Sequence, residues 1–238
     1  MSKQIKTILW LAIFSIAMGY MESAVVIYLR KIYYPGGFQF PLVPLDASLG
    51  LVELLREAAT LIMLLGIATL SAKTTSLKFA VFIFCFAVWD LCYYLFLWLF
   101  LDWPESLLTW DILFLIPVPW VGPVLAPCIV SMTMLVLAAI IFYFQSSGYN
   151  VGLKAREWLL LCAGSMVIVF SFILDYMSYI RKEKIPGILE NVSASFQLLD
   201  EFSDYIPVDF NWPLFLTGEI ILLGTIAMLF LRMKRRNY

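Results

Sequence analysis

The sequence predicts an all-α integral membrane protein: six transmembrane helices, both termini in the cytoplasm, and short amphipathic helices in the outer loops. Three observations carry this. Of 238 residues, 63% are apolar and the mean hydropathy is +0.91, a balance suited to lipid rather than to water. Six apolar runs are long enough to cross a hydrocarbon core roughly 30 Å thick. Lysine and arginine divide ten to five between alternate sides, with Arg56 left inside a span. The positive-inside rule then puts the termini in the cytoplasm. The whole chain, 1–238, reads as one domain.

The first span covers about 7–29, behind Lys3 and Lys6. Its apolar segment is too long for a signal-peptide core, and it carries Glu22. Ser15, Gly19, Glu22, Val26 and Arg30 recur near one face, so Glu22 should point inward beside a small residue that lets helices approach closely. The outer loop 31–48 turns at Pro35-Gly36 and at Pro41. Its aromatics suit either an interfacial belt or a lid over a pocket.

The second span, about 50–72, opens with Glu53, Arg56, Glu57 and Thr60 at i, i+3, i+4 and i+7, one helical face. A charge at the centre of a span costs about 2.5–3.5 kcal/mol on insertion scales and marks a site by default. The alternative is an ion pair that locks two helices together. The third span, about 77–101, places Asp90, Tyr93, Tyr94 and Trp98 on one face. Asp102 and Pro104 then read as the N-cap and first turn of a short surface helix reaching Ile116, with Trp110 and Asp111 on it.

The proline-rich run 117–123 should be extended, because proline cannot continue a helix. It leads into a fourth span, about 124–144, that is nearly free of charge. The fifth span, about 157–179, ends in a polar stripe of Ser171, Asp175 and Ser178. In the loop after it, Ile188, Val192, Phe196, Leu199 and Phe202 keep helical spacing, which predicts an amphipathic helix on the outer surface or capping the bundle. The last span, about 213–231, contains Glu219.

Composition also excludes chemistry. The chain has no histidine, which removes His-ligated haem, most zinc sites and every Ser-His or Cys-His device. Its four cysteines lie in apolar runs without a CxxC pair and read as packing residues. Net charge is −1 and no basic groove is present, so nucleic acid is not an expected partner.

Depth supplies the functional signal. Counted at 1.5 Å per residue from the nearest cytoplasmic basic flank, Glu22 and Glu57 lie roughly 24 Å up, Asp90 roughly 18 Å, Glu219 roughly 20 Å and Asp175 roughly 28 Å. Five carboxylates on five spans thus share the outer half of the bundle. The expectation is that Glu22, Glu57, Asp90 and Glu219 converge within hydrogen-bond or one-water reach. Glu53, Arg56, Tyr93, Tyr94 and Asp175 would complete the ligand-binding set.

Such a site suits binding or transport of a cation or cationic small solute, with Trp89, Tyr93, Tyr94 and Trp98 supplying ring faces. Oxygen ligands, first among them Glu22, Glu57 and Asp90, suit a hard divalent cation. One alternative is an intramembrane enzyme acting on a lipid-like substrate through its carboxylates, with Arg56 holding an anionic group. Asp90 and Asp175 lack the glycine-flanked motif of an intramembrane aspartyl protease. The other alternative is a structural subunit of a larger membrane complex. Expected partners are the lipid bilayer, a small cationic solute or lipid, and partner subunits. Loops without cysteine and compact tails favour a bacterial inner membrane.

Overall fold

The structure, a computed structural model, describes residues 3–44, 46–149, 151–182 and 204–235. Six long helices follow the six apolar runs. They are α1 (Lys3–Tyr33), α2 (Ala47–Ser71), α3 (Thr75–Leu101), α4 (Leu125–Ser146), α5 (Ala155–Lys182) and α6 (Trp212–Arg235). Five of them, all but α2, are long and apolar enough to cross a membrane. The expected second span forms α2, a 25-residue helix with Glu53, Arg56 and Glu57 in its first half. Large apolar side chains such as Leu70, Leu159, Met166 and Ile220 point outward, which costs little against lipid tails as apolar as they are. The molecule is an α-helical membrane protein.

The segment between α3 and α4 departs from the sequence expectation. Asp102 does not open a helix. It closes α3 in the left-handed conformation, φ 52°, with its N–H donated to the Trp98 carbonyl. The stretch expected to be helical up to Ile116 is a strand, β1 (Trp110–Phe114), paired antiparallel with β2 (Trp120–Pro123). Trp110, Ile112 and Phe114 are aromatic or β-branched at alternate positions, a pattern that fits a pleated surface better than a helix. Asp111 faces Gly122 in the register, and Ile112 faces Val121. Trp120 then stacks on Phe172 of α5 at 6.3 Å between ring centroids. The amphipathic helix expected over 188–202 lies outside the described residues.

Packing follows small residues. α1 and α2 both pack on α3, α3 packs on α4, α5 packs on α6, and α4 meets α6 along a narrower seam. At Gly19 an added Cβ would come within 2.9 Å of both Cys92 Cβ and the Trp89 carbonyl of α3. Gly164 and Gly218 make the corresponding approach between α5 and α6. A Cβ on Gly218 would lie 2.6 Å from Ile168 Cγ1 and 2.9 Å from the Gly164 carbonyl. At the end of the bundle where α5 begins, the Arg232 guanidinium grips Glu157 with both arms, at 2.7 and 2.8 Å, and also donates to the Gly152 carbonyl at 2.9 Å. The Lys154 N–H adds a further donor to Glu157 at 2.7 Å.

Candidate functional site

A cavity of about 170 Å³ opens between α1, α2 and α3, with the β1–β2 hairpin and the α1–α2 loop over it. Helical periodicity aims the lining side chains. α1 contributes Glu22, Val26 and Arg30 at four-residue steps. α2 contributes Glu53, Arg56, Glu57 and Thr60, the face anticipated from their spacing. α3 contributes Trp89, Asp90, Tyr93 and Tyr94. The close approach at Gly19 brings the α1 face to within side-chain reach of α3, and Ser23 marks the contact by donating to the Tyr93 carbonyl at 3.2 Å. From the loops come Tyr34, Phe38, Asp111 and Leu113 to Leu115. The loop aromatics Tyr34 and Phe38 line the cavity, and the Tyr34 hydroxyl accepts the Val43 N–H at 2.9 Å.

The charges fall into three sets. In the first, Arg56 of α2 donates to Glu22 of α1 and, at 2.8 Å, to Glu53 on its own helix. Thr60 donates to Glu22 at 3.5 Å. This is the inter-helix lock that the sequence left open as an alternative to a ligand site. In the second set, Arg30 pairs with Asp111 of β1 at 2.9 Å. The guanidinium sits over the rings of Trp103, at 3.7 Å, and Phe38, at 4.2 Å. Both partners are deeply buried, Arg30 at 7% and Asp111 at 1% exposure. Burial pushes the Asp111 carboxyl up to about 6, against the opposing pull of Arg30, the Ile112 backbone N–H and the Tyr94 hydroxyl.

The third set has no cation. Glu57 accepts the Leu115 backbone N–H on both oxygens, at 2.9 and 3.1 Å, and so holds the hairpin over α2. Asp90 accepts the Ser131 hydroxyl of α4 at 2.8 Å. Among the described residues, neither carboxylate has an ion-pair partner, whereas Glu22, Glu53 and Asp111 each do.

The structure gathers seven of the nine expected residues at this cavity: Glu22, Glu53, Arg56, Glu57, Asp90, Tyr93 and Tyr94. It does not bring Glu219 or Asp175 there. Glu219 accepts the Thr133 hydroxyl at 2.7 Å, and its other oxygen is buried without a hydrogen bond. Asp175 accepts from the Tyr205 hydroxyl and, at 3.2 Å, from the Val208 N–H. The expected convergence of Glu22, Glu57, Asp90 and Glu219 is corrected accordingly, since a depth counted along one helix does not say which neighbour a carboxylate faces, and Glu219 faces Thr133 of α4. Trp98, expected as a ring face, is exposed and does not line the cavity.

Two charged residues of the cavity, Arg30 and Asp111, lie outside the expected site set. Arg30 was legible on the Glu22 face of α1, but its partner lies 81 residues away on a segment read as helix. Among the described residues, no three carboxylate or thiol side chains cluster as metal ligands. Glu22, Glu57 and Asp90 share the cavity, but each is held by a different partner. No known protein family, no curated protein and no solved structure matches the chain.

Proposed function

We propose that this membrane protein binds a small organic cation in the cavity between α1, α2 and α3, as a receptor or carrier in an inner membrane with both termini cytoplasmic. One observation supports the reading above others. Five carboxylates and two guanidinium groups line the cavity, and after internal pairing Glu57 and Asp90 have no ion-pair partner among the described residues. Buried charge is tolerated when paired, and a bound ammonium group is the partner these two lack. Trp89, Tyr93 and Tyr94 stand beside Asp90, and aromatic faces favour an organic cation over a bare metal ion.

The test is thermal melting of the full chain in lipid nanodiscs with ethylammonium and tetramethylammonium, and with neutral propane-1,2-diol as control. At 100 times Kd a ligand should add about 2.7 kcal/mol of stability. The expected result is stabilisation of the wild type by a cation and not by the diol, with the effect lost in Glu57→Gln and Asp90→Asn. Equal melting with and without every cation, or an undiminished shift in both variants, would overturn it. Consistent co-purification of a partner subunit in the absence of any cation response would favour the structural-subunit reading instead.

A further inference from the structure

A second cavity, about 300 Å³, lies between α3, α4, α5 and α6. Its walls are almost wholly apolar, with Phe82, Phe86, Met134, Ile168, Val169 and Leu222 among them. It shares a wall with the first. Asp90, Leu113 and Phe114 line both. The partition between a charged chamber and an apolar one is therefore a single unpaired carboxylate and the end of a hairpin strand. Ser131, which donates to Asp90, lines only the apolar side. The carboxylate is anchored from that side and available from the charged one.

We infer that the ligand is a single-chain ammonium amphiphile, its head at Asp90 and Glu57 and its hydrocarbon chain in the cavity between α3, α4, α5 and α6. The inference rests on the cation reading above and adds the chemistry of the rest of the molecule. A cation held at Asp90 stands at the shared wall, so a substituent on its nitrogen reaches apolar surroundings once the side chains of Asp90, Leu113 and Phe114 give way. The apolar cavity sits at the lower end of the usual range for ligand pockets, roughly 300–1,000 Å³, which is room for one chain and not for the two of a bilayer phospholipid. An acidic amphiphile is disfavoured, because carboxylates outnumber guanidinium groups around the head chamber.

The test is calorimetric titration of the full chain in nanodiscs with ethyl-, butyl- and hexylammonium, which are short enough to stay in water, and with hexanoate. Affinity should rise about fourfold for each methylene added to the ammonium series. In Met134→Trp and, as a milder second variant, Val169→Phe, the ratio of hexyl to ethyl affinity should fall toward one. If ethylammonium binds and hexylammonium binds no tighter, the amphiphile inference is overturned while the cation reading stands. A rise equally steep in both filled-cavity variants would overturn it too, since the chain would then lie elsewhere. If no ammonium ion binds, or hexanoate binds as tightly as hexylammonium, the cation reading itself fails and the inference falls with it.

Discussion

Ser131 of α4 donates to Asp90 of α3 at 2.8 Å, a direct polar tie between a cavity carboxylate and α4. It fixes the Asp90 side chain without neutralising it. A hydroxyl stabilises a carboxylate by hydrogen bonding and leaves its charge free for a cation.

Asp90→Asn keeps an oxygen for Ser131 to donate to, so the variant should fold and melt near the wild type while losing the ammonium response. Ser131→Ala should do the reverse in part. It removes a hydrogen bond to a charged group, which costs about 1.5–3 kcal/mol, and thermal melting should show the loss even without ligand. If Ser131→Ala melts with the wild type, the bond is not what holds Asp90.

The Glu157–Arg232 pair is buried at its acidic end and satisfied on every side. Removing one partner leaves the other's charge buried, a loss of about 3–5 kcal/mol. Arg232→Met should therefore melt far below the wild type, and the double variant Glu157→Gln with Arg232→Met should recover much of the difference. A double variant no better than the single one would contradict this account.

Two glycines of α6 should respond in opposite directions. Gly218→Ala places a Cβ 2.6 Å from Ile168 and 2.9 Å from the Gly164 carbonyl, overpacking that costs about 1–3 kcal/mol. Gly224→Ala meets nothing within 4 Å and should gain about 0.5–1 kcal/mol from helix propensity. Melting temperatures of the two variants, compared in the same lipid, check both signs at once.

Asp111 should make stability pH-dependent. Its carboxyl is raised by burial from 3.8 to about 6, so the folded chain holds this proton more tightly than the unfolded chain. The stability it contributes is fully present below about 4 and is lost as pH rises through 6. Melting between pH 4.5 and 7.5 should show a flatter dependence in Asp111→Asn than in the wild type, whatever the variant's absolute stability. Parallel curves would mean that Asp111 is ionised throughout.

The helices were legible because apolar runs bounded by Lys3, Lys73, Lys78 and Arg232 have one physical solution in lipid. The face carrying Glu53, Arg56, Glu57 and Thr60 was legible because 3.6-residue periodicity is local. The hairpin was not, because Asp102 followed by Pro104 has the residue types of a helix start as well as those of a helix end. The alternation of Trp110, Ile112 and Phe114 was the signal that distinguished the two. Depth can be counted along one helix, but the direction a carboxylate faces depends on which neighbours that helix finds. Glu219, counted to nearly the same height as Asp90, therefore lies outside the cavity that Asp90 lines, and the pairing of Arg30 with Asp111 across 81 residues had no local trace.

The tie between Gly164 and Gly218 and the clamp between Glu157 and Arg232 fasten α5 to α6 at two heights. Two rods joined at two points cannot scissor, so they swing only as one beam. The apolar cavity has this beam on one side and α3 with α4 on the other, and the beam meets the rest of the bundle along two seams, α6 with α4 and α5 with β2. If a hydrocarbon chain lodges in that cavity, widening the gap should move α5 and α6 together rather than bend either helix. Side chains on the two seams would then set how readily the gap opens, and those on its walls how firmly it holds.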